Sequence, residues 1–141
     1  MKLSDLQEEI EKDSHIDQHN LDRESLKIPM IHAKYYRYFV EELRTYKGME
    51  SAFKALKKDR MHYYLGKAPD DVYKEEPLDF KVLKVDLDPY LDADPKYSAA
   101  RNQLELQKIK VDMLESFIKM LTNRSFIIKD AIAFKQFQAG N

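Results

Sequence analysis

Between Lys54 and Lys67 lie five basic side chains, Lys54, Lys57, Lys58, Arg60 and Lys67, against one acid, Asp59. Three flat rings stand among them: His62, Tyr63 and Tyr64. Cations neutralise phosphates and rings accept unstacked bases, so single-stranded nucleic acid calls for this combination. Each stacked base contributes roughly 1–3 kcal/mol without demanding a sequence. At about 100° per residue, Lys54, Lys57 and Lys58 share the face opposite Met49, Phe53 and Leu56. Arg60 falls on the apolar side. An arginine there must lie at the edge of the core, pair with a carboxylate, or sit at a subunit boundary facing a ligand. The competing account makes the lysines a solvated helix face and the tyrosines core, and the position of Tyr63 on the apolar face speaks for it at that residue.

Other candidate chemistry is weaker. His15 and His19 have i,i+4 metal-ligand spacing with Asp13 and Asp17 nearby, but no glutamate base or third histidine completes a zinc enzyme. Asp86, Asp88, Asp92 and Asp94 have the composition of a calcium or two-metal site. The stretch lacks the tight-turn glycine and closing glutamate of an EF-hand, and a solvated acidic loop is the better reading. Gly66-Lys67 lacks the preceding glycine of a phosphate-binding loop. No nucleophile–base constellation is present. The sequence predicts no enzyme, no cofactor and no metal.

The elements that must carry the basic stretch are helical. Only 3 glycines and 5 prolines occur in 141 residues, which favours long helices over turn-rich β architecture. The absence of cysteine excludes a disulfide scaffold and fits a reducing compartment. The N-terminus has no signal-peptide character, and no run approaches the ~18 apolar residues of a membrane span. A protein neither secreted nor membrane-embedded is expected. The net charge of −1 conceals blocks of −5 over residues 1–26, +6 over 27–67, −6 over 68–95 and +4 over 96–141. Such separation suits a chain that grips a polyanion locally while other surfaces meet basic partners or copies of itself.

Along the chain, Leu3, Leu6 and Ile10 predict a short first helix, with Ser4 as cap and Gln7 completing a capping box. From Leu21 to Leu65 the pattern is helical. Pro29 marks a first turn or a kink, Gly48 a weak point and Gly66 a stop. Residues 68–95 hold four of the five prolines. There Leu83, Val85 and Leu87 alternate with charged residues and predict a short extended or β segment near residues 80–88. Asp94-Pro95 is an N-cap followed by proline at the first helical position. That helix should run to about Thr122, stop at Asn123, and be followed by another from Ser125 to Gln138. The domain reading is 1–67, an N-terminal helical ssDNA-binding region, then 68–94, an acidic linker or short strand, then 95–141, a helical oligomerisation region.

The last region is unusually apolar. Residues from Leu106 to Leu121 cover an arc of roughly 200°, about twice the minimum stripe of a surface helix, and more apolar residues follow. Self-association with closed symmetry is the direct remedy, through Met113, Phe117, Leu121, Phe126, Ile128, Ile132 and Phe137. The alternative is a helix buried at the centre of a monomer.

Three stretches together resemble the UvsY recombination mediators of T-even-type phages. They are Leu6 to Asp13 with Ile16-Asp17, then Lys58-Asp59-Arg60 through Tyr63-Tyr64 and Gly66, and finally Phe126 through Ile128-Lys129 and Ala133-Phe134 to Ala139-Gly140. They cover about half the chain and keep their order. The departures are Pro29, a rewritten stretch 70–100 and the loss of a glycine near Arg124. The resemblance implies a mainly α, non-catalytic mediator of homologous recombination, repair and replication. It would form a hexameric or heptameric ring through its C-terminal helices in the cytoplasm of the infected bacterial host. The implied partners are single-stranded DNA, the phage single-strand-binding protein and a RecA-like recombinase of the UvsX type, with Lys58 and Arg60 as DNA contacts. Two rivals remain: a helical assembly protein that does not touch DNA, and a metal-dependent nuclease using the aspartates of 86–94.

Overall fold

The computed structural model describes residues 1–140. In chain order they form α1 (Leu3–Ser14), α2 (Leu21–Tyr64), α3 (Asp70–Glu75), a 3-10 turn (Lys84–Asp86), α4 (Leu87–Asp92) and α5 (Pro95–Gln138). Two compact units are present. One comprises residues 1–43 with those from 109 onward, and the other residues 44–108.

The two long helices pass through the breaks that the sequence suggested. Helix α2 continues through Gly48, where a missing side chain costs about 1 kcal/mol relative to alanine. That is too little to stop a helix whose propagation is already under way. Pro29 lies inside α2, with its ring on the exposed side. Helix α5 runs without interruption past Asn123, because Arg124 and Ile128 on its next turn are both buried. At the N-terminus the expected capping box is not formed. Lys2 occupies the cap position without a side-chain hydrogen bond, and Ser4 lies inside the first turn.

No strand occurs among the described residues; of the extended or β segment expected near 80–88, residues 81–83 are irregular, with Leu83 extended at φ −71° and ψ 147°, and the chain from Lys84 onward is helical. Leu83 and Val85 are exposed, whereas Val82, Leu87 and Leu91 are buried. The burial period is that of a turn leading into a helix, with Leu87 and Leu91 four residues apart on one face of α4. A lone strand would have left its backbone groups without a ladder partner; here the Asp86 N–H donates to the Leu83 carbonyl at 2.9 Å and the Val82 N–H to the Tyr64 carbonyl at the end of α2.

In the first unit, Leu6, Tyr35, Leu114, Phe117 and Leu121 form a closed apolar cluster, flanked by Ile10, Ile31 and Phe39. Tyr35 meets Phe117 edge-on at 4.5 Å, a favoured aromatic geometry. Its hydroxyl donates to Asp13 at 2.7 Å, and Lys34 donates to the same carboxylate oxygen at 2.9 Å. This ties the end of α1 to α2. Between them, Asp17 accepts from the His19 backbone N–H at 2.9 Å and from the Asn20 amide at 2.6 Å. That turn uses the carboxylate that the metal-ligand spacing had brought into view.

Candidate nucleic-acid interface

The second unit carries the basic stretch. Lys54, Lys57, Lys58 and Lys67 are all exposed, while Phe53 and Leu56 on the other side of α2 are half-buried. Among the described residues none of the four lysines makes an ion pair with a carboxylate. Burial of the apolar side of an amphipathic helix therefore leaves its cations in water, free to meet phosphates.

Arg60 stands apart. It is 5% exposed, and its guanidinium is committed. Nε donates to Asp94 Oδ2 at 2.9 Å and Nη2 to the same oxygen at 2.6 Å. Nη1 and Nη2 donate to the two oxygens of Glu76 at 3.0 and 2.9 Å, a bidentate pair. The guanidinium also lies over the Tyr63 ring at 4.4 Å. Of the three situations open to an arginine on this face, the structure adopts pairing with carboxylates.

Asp94 is 1% exposed and serves two elements. Its Oδ1 accepts the backbone N–H of Tyr97 at 2.8 Å, capping α5; its Oδ2 takes Arg60 and, at 2.7 Å, the Tyr64 hydroxyl. Burial pushes the Asp94 carboxyl up, but the Arg60, Tyr97 and Tyr64 hydrogen bonds outweigh it and hold the group below its ordinary value. The hydrogen bonds of Arg60 likewise hold Glu76 low. Burial, followed by the Asp94 contact, raises the Tyr64 hydroxyl to about 12.

The rings divide in the same way. Tyr63 is buried, T-shaped against Tyr64 at 5.0 Å and stacked with Tyr73 at 5.4 Å. Tyr73 Oη donates to the Tyr63 carbonyl at 2.8 Å, at the end of α2. Tyr64 and His62 remain half-exposed. Gly66, at φ 76°, closes α2, with the Lys67 N–H reaching the His62 carbonyl at 2.9 Å and the Gly66 N–H the Tyr63 carbonyl at 3.2 Å. This is a Schellman stop. The returning chain docks on that end through the Val82 N–H and the Tyr64 carbonyl, 2.9 Å apart. A cleft of about 420 Å³ opens beside this network, lined among others by His62, Tyr63, Lys67 and Lys96.

Comparison with known proteins decides the family. The family described as "Recombination, repair and ssDNA binding protein UvsY" matches residues 9–141. The chain belongs to the UvsY family. The recombination protein UvsY of Enterobacteria phage T4 is 26% identical over 140 residues, covering 99% of each chain. One crystal structure of the bacteriophage T4 recombination mediator protein UvsY superposes with a TM-score of 0.86 at 27% identity, covering 99% of this chain and 98% of that one. A second crystal form gives 0.83 at 25% identity, covering 95% and 98%. As a UvsY protein the chain is a phage recombination mediator, acting in recombination, repair and single-stranded DNA binding. No helix among the described residues is long and apolar enough to cross a membrane.

On this UvsY chain the residues expected to drive self-association fall in two sets. Phe117, Leu121 and Ile128 are buried within the single chain and Met113 is half-buried, whereas Phe126, Ile132 and Phe137 are exposed. Sequence reasoning took Asp94 as an N-cap and as one of the aspartates of a solvated acidic loop, and did not single out Glu76. The signal for their role was Arg60 itself, an arginine on an apolar face that demanded carboxylates.

Proposed function

We propose that this UvsY protein binds single-stranded DNA along the exposed Lys54, Lys57, Lys58 and Lys67 face, with Tyr64 and His62 as the rings that meet bases. The observation that carries this reading is the display of four solvent-facing lysines around half-exposed rings in the second unit. A lysine is a flexible point charge that follows a phosphate chain without reading its sequence.

Copies of the chain assemble, as a hexameric or heptameric ring, through Phe126, Ile132 and Phe137, so that a weak site is multiplied by the subunit number. Strand held on many sites is bent or extended. The phage single-strand-binding protein is loosened from it, and a RecA-like recombinase of the UvsX type nucleates there, in the host cytoplasm.

The test is anisotropy of a labelled oligo-dT against salt. Log affinity falls with log salt at about −0.7 per phosphate contacted. Lys58→Ala should weaken binding and flatten that slope by about one such contact, and Lys54→Ala with Lys57→Ala should flatten it further. An unchanged slope in all three removes this face from the site and favours a non-DNA-binding assembly role.

A further inference from the structure

We propose that Arg60 acts in DNA binding as a positioning residue: through Asp94 and Glu76 it fixes how Tyr64 is displayed beside the lysine face, and it touches no phosphate itself. The inference rests on the DNA-binding reading of the lysine face and assigns Asp94 and Glu76 to the same function.

Arginine has five N–H donors in a rigid fork. Here Nε, Nη1 and Nη2 make four hydrogen bonds to two carboxylates, and the group is shielded from solvent. A phosphate could recruit the fork only by stripping it from Asp94, leaving a buried carboxylate with its main counter-charge gone. Lys58, two residues away, bears no such cost because it already faces water.

What the network does secure is orientation. Asp94 Oδ2 holds both Arg60 and the Tyr64 hydroxyl, so the Tyr64 ring is set by the pair. Tyr63 already lies between the Arg60 guanidinium and Tyr73. Tyr64, half-exposed, with Arg60 over its ring at 5.6 Å and Tyr90 at 6.0 Å, is the more accessible ring of the pair. Lys96 also leans on Glu76, at 3.4 Å. The same aspartate starts α5 through the Tyr97 N–H. One carboxylate thereby aligns the ends of two helices that border the cleft.

The consequence runs against simple charge counting. Removing the acid Asp94 beside a polyanion site should weaken anion binding, not strengthen it.

The experiment uses the full chain and labelled oligo-dT, at a temperature where circular dichroism shows each variant fully folded. Arg60→Gln and Asp94→Asn should each weaken binding several-fold with the salt slope of the parent. The double variant should bind no worse than either single one, since both open the same link. Lys58→Ala in the same assay should flatten the slope. A residue needed only for stability would leave the affinity of the folded protein unchanged, and that result overturns the proposal. So does a slope flattened by Arg60→Gln, or an affinity raised by Asp94→Asn. If both charge variants unfold, Tyr64→Phe decides, because it keeps the ring and removes only the hydroxyl on Asp94: weaker binding at constant slope supports positioning, and unchanged affinity overturns it. Unchanged binding in Lys58→Ala is a different failure, that of the lysine face itself.

Discussion

Arg124, 1% exposed, donates through Nη1 to the backbone carbonyl of Asp13 at 2.5 Å, across 111 residues of chain. Its Nη2 reaches the carbonyl of His15 at 2.8 Å and pairs with Glu24 at 3.4 Å. The last turn of α1 leaves carbonyls that no further turn can satisfy, and a buried guanidinium from α5 supplies both the hydrogen bonds and the positive charge that a helix C-terminus favours. Arg124→Ala should therefore destabilise the first unit by about 3–5 kcal/mol, the range for stripping one partner from a buried pair. Urea unfolding measures it. A loss below about 1 kcal/mol, typical of an exposed pair, would show that the contact is not structural.

Gly66 offers a second stability test. Its φ of 76° is a conformation that costs other residues about 1–2 kcal/mol. An added Cβ would also lie 2.6–2.8 Å from the side chain of Lys81. Gly66→Ala should destabilise the second unit by at least about 1–2 kcal/mol while leaving the helix content of α2 intact. Thermal melts followed by circular dichroism read both quantities, and an unchanged melting temperature would contradict the closure described for the end of α2.

Local signals carried much of this structure. The helical period exposed the lysine face, Gly66 marked the end of α2, and Asp94-Pro95 marked the start of α5. Long-range pairing was not legible. Arg60 and Asp94 lie 34 residues apart and Arg124 and Asp13 lie 111 apart, and no periodicity names such partners. The continuity of α5 across Asn123 was hidden for the same reason, since the buried Arg124 and Ile128 that hold it are defined only by what packs on them. The alternation at 83–87 misled because it is short, and side chains that alternate in sequence need not alternate in burial.

The carboxylates give a pH signature. Asp94 and Glu76 are held below their ordinary 3.8 and 4.5. Asp13 is also lowered, because the Lys34 and Tyr35 hydrogen bonds outweigh its burial. A depressed folded-state value means stability that is present above the unfolded value and lost as pH falls through the folded one. The chain should hold full stability near neutrality and lose it below about pH 4. Tyr64, raised to about 12, has the opposite sense, with stability complete below its ordinary 10 and lost as pH climbs toward 12. Urea midpoints across pH check both arms. Asp94→Asn should shrink the acid loss; if the parent is as stable at pH 3 as at pH 7, the carboxylate network contributes nothing.

The apolar residues of α5 make a last, separable prediction. Phe126 and Phe137 are 63% and 77% exposed, whereas Leu121 is fully buried. If the exposed set forms the contact between copies, Phe126→Ser with Phe137→Ser should leave the stability of the dilute chain within about 0.5 kcal/mol, as for ordinary surface substitutions, yet shift its native mass to smaller species. Assembly that binds only folded chains makes melting concentration-dependent, so the parent should melt higher as concentration rises and the double variant should not. Leu121→Ala should behave differently, costing about 2–5 kcal/mol of chain stability through the cavity it leaves. Sedimentation together with melts at several concentrations distinguishes the two. Should the double variant keep both the parent's mass and its concentration dependence, these phenylalanines lie outside the contact, and assembly must run through another face.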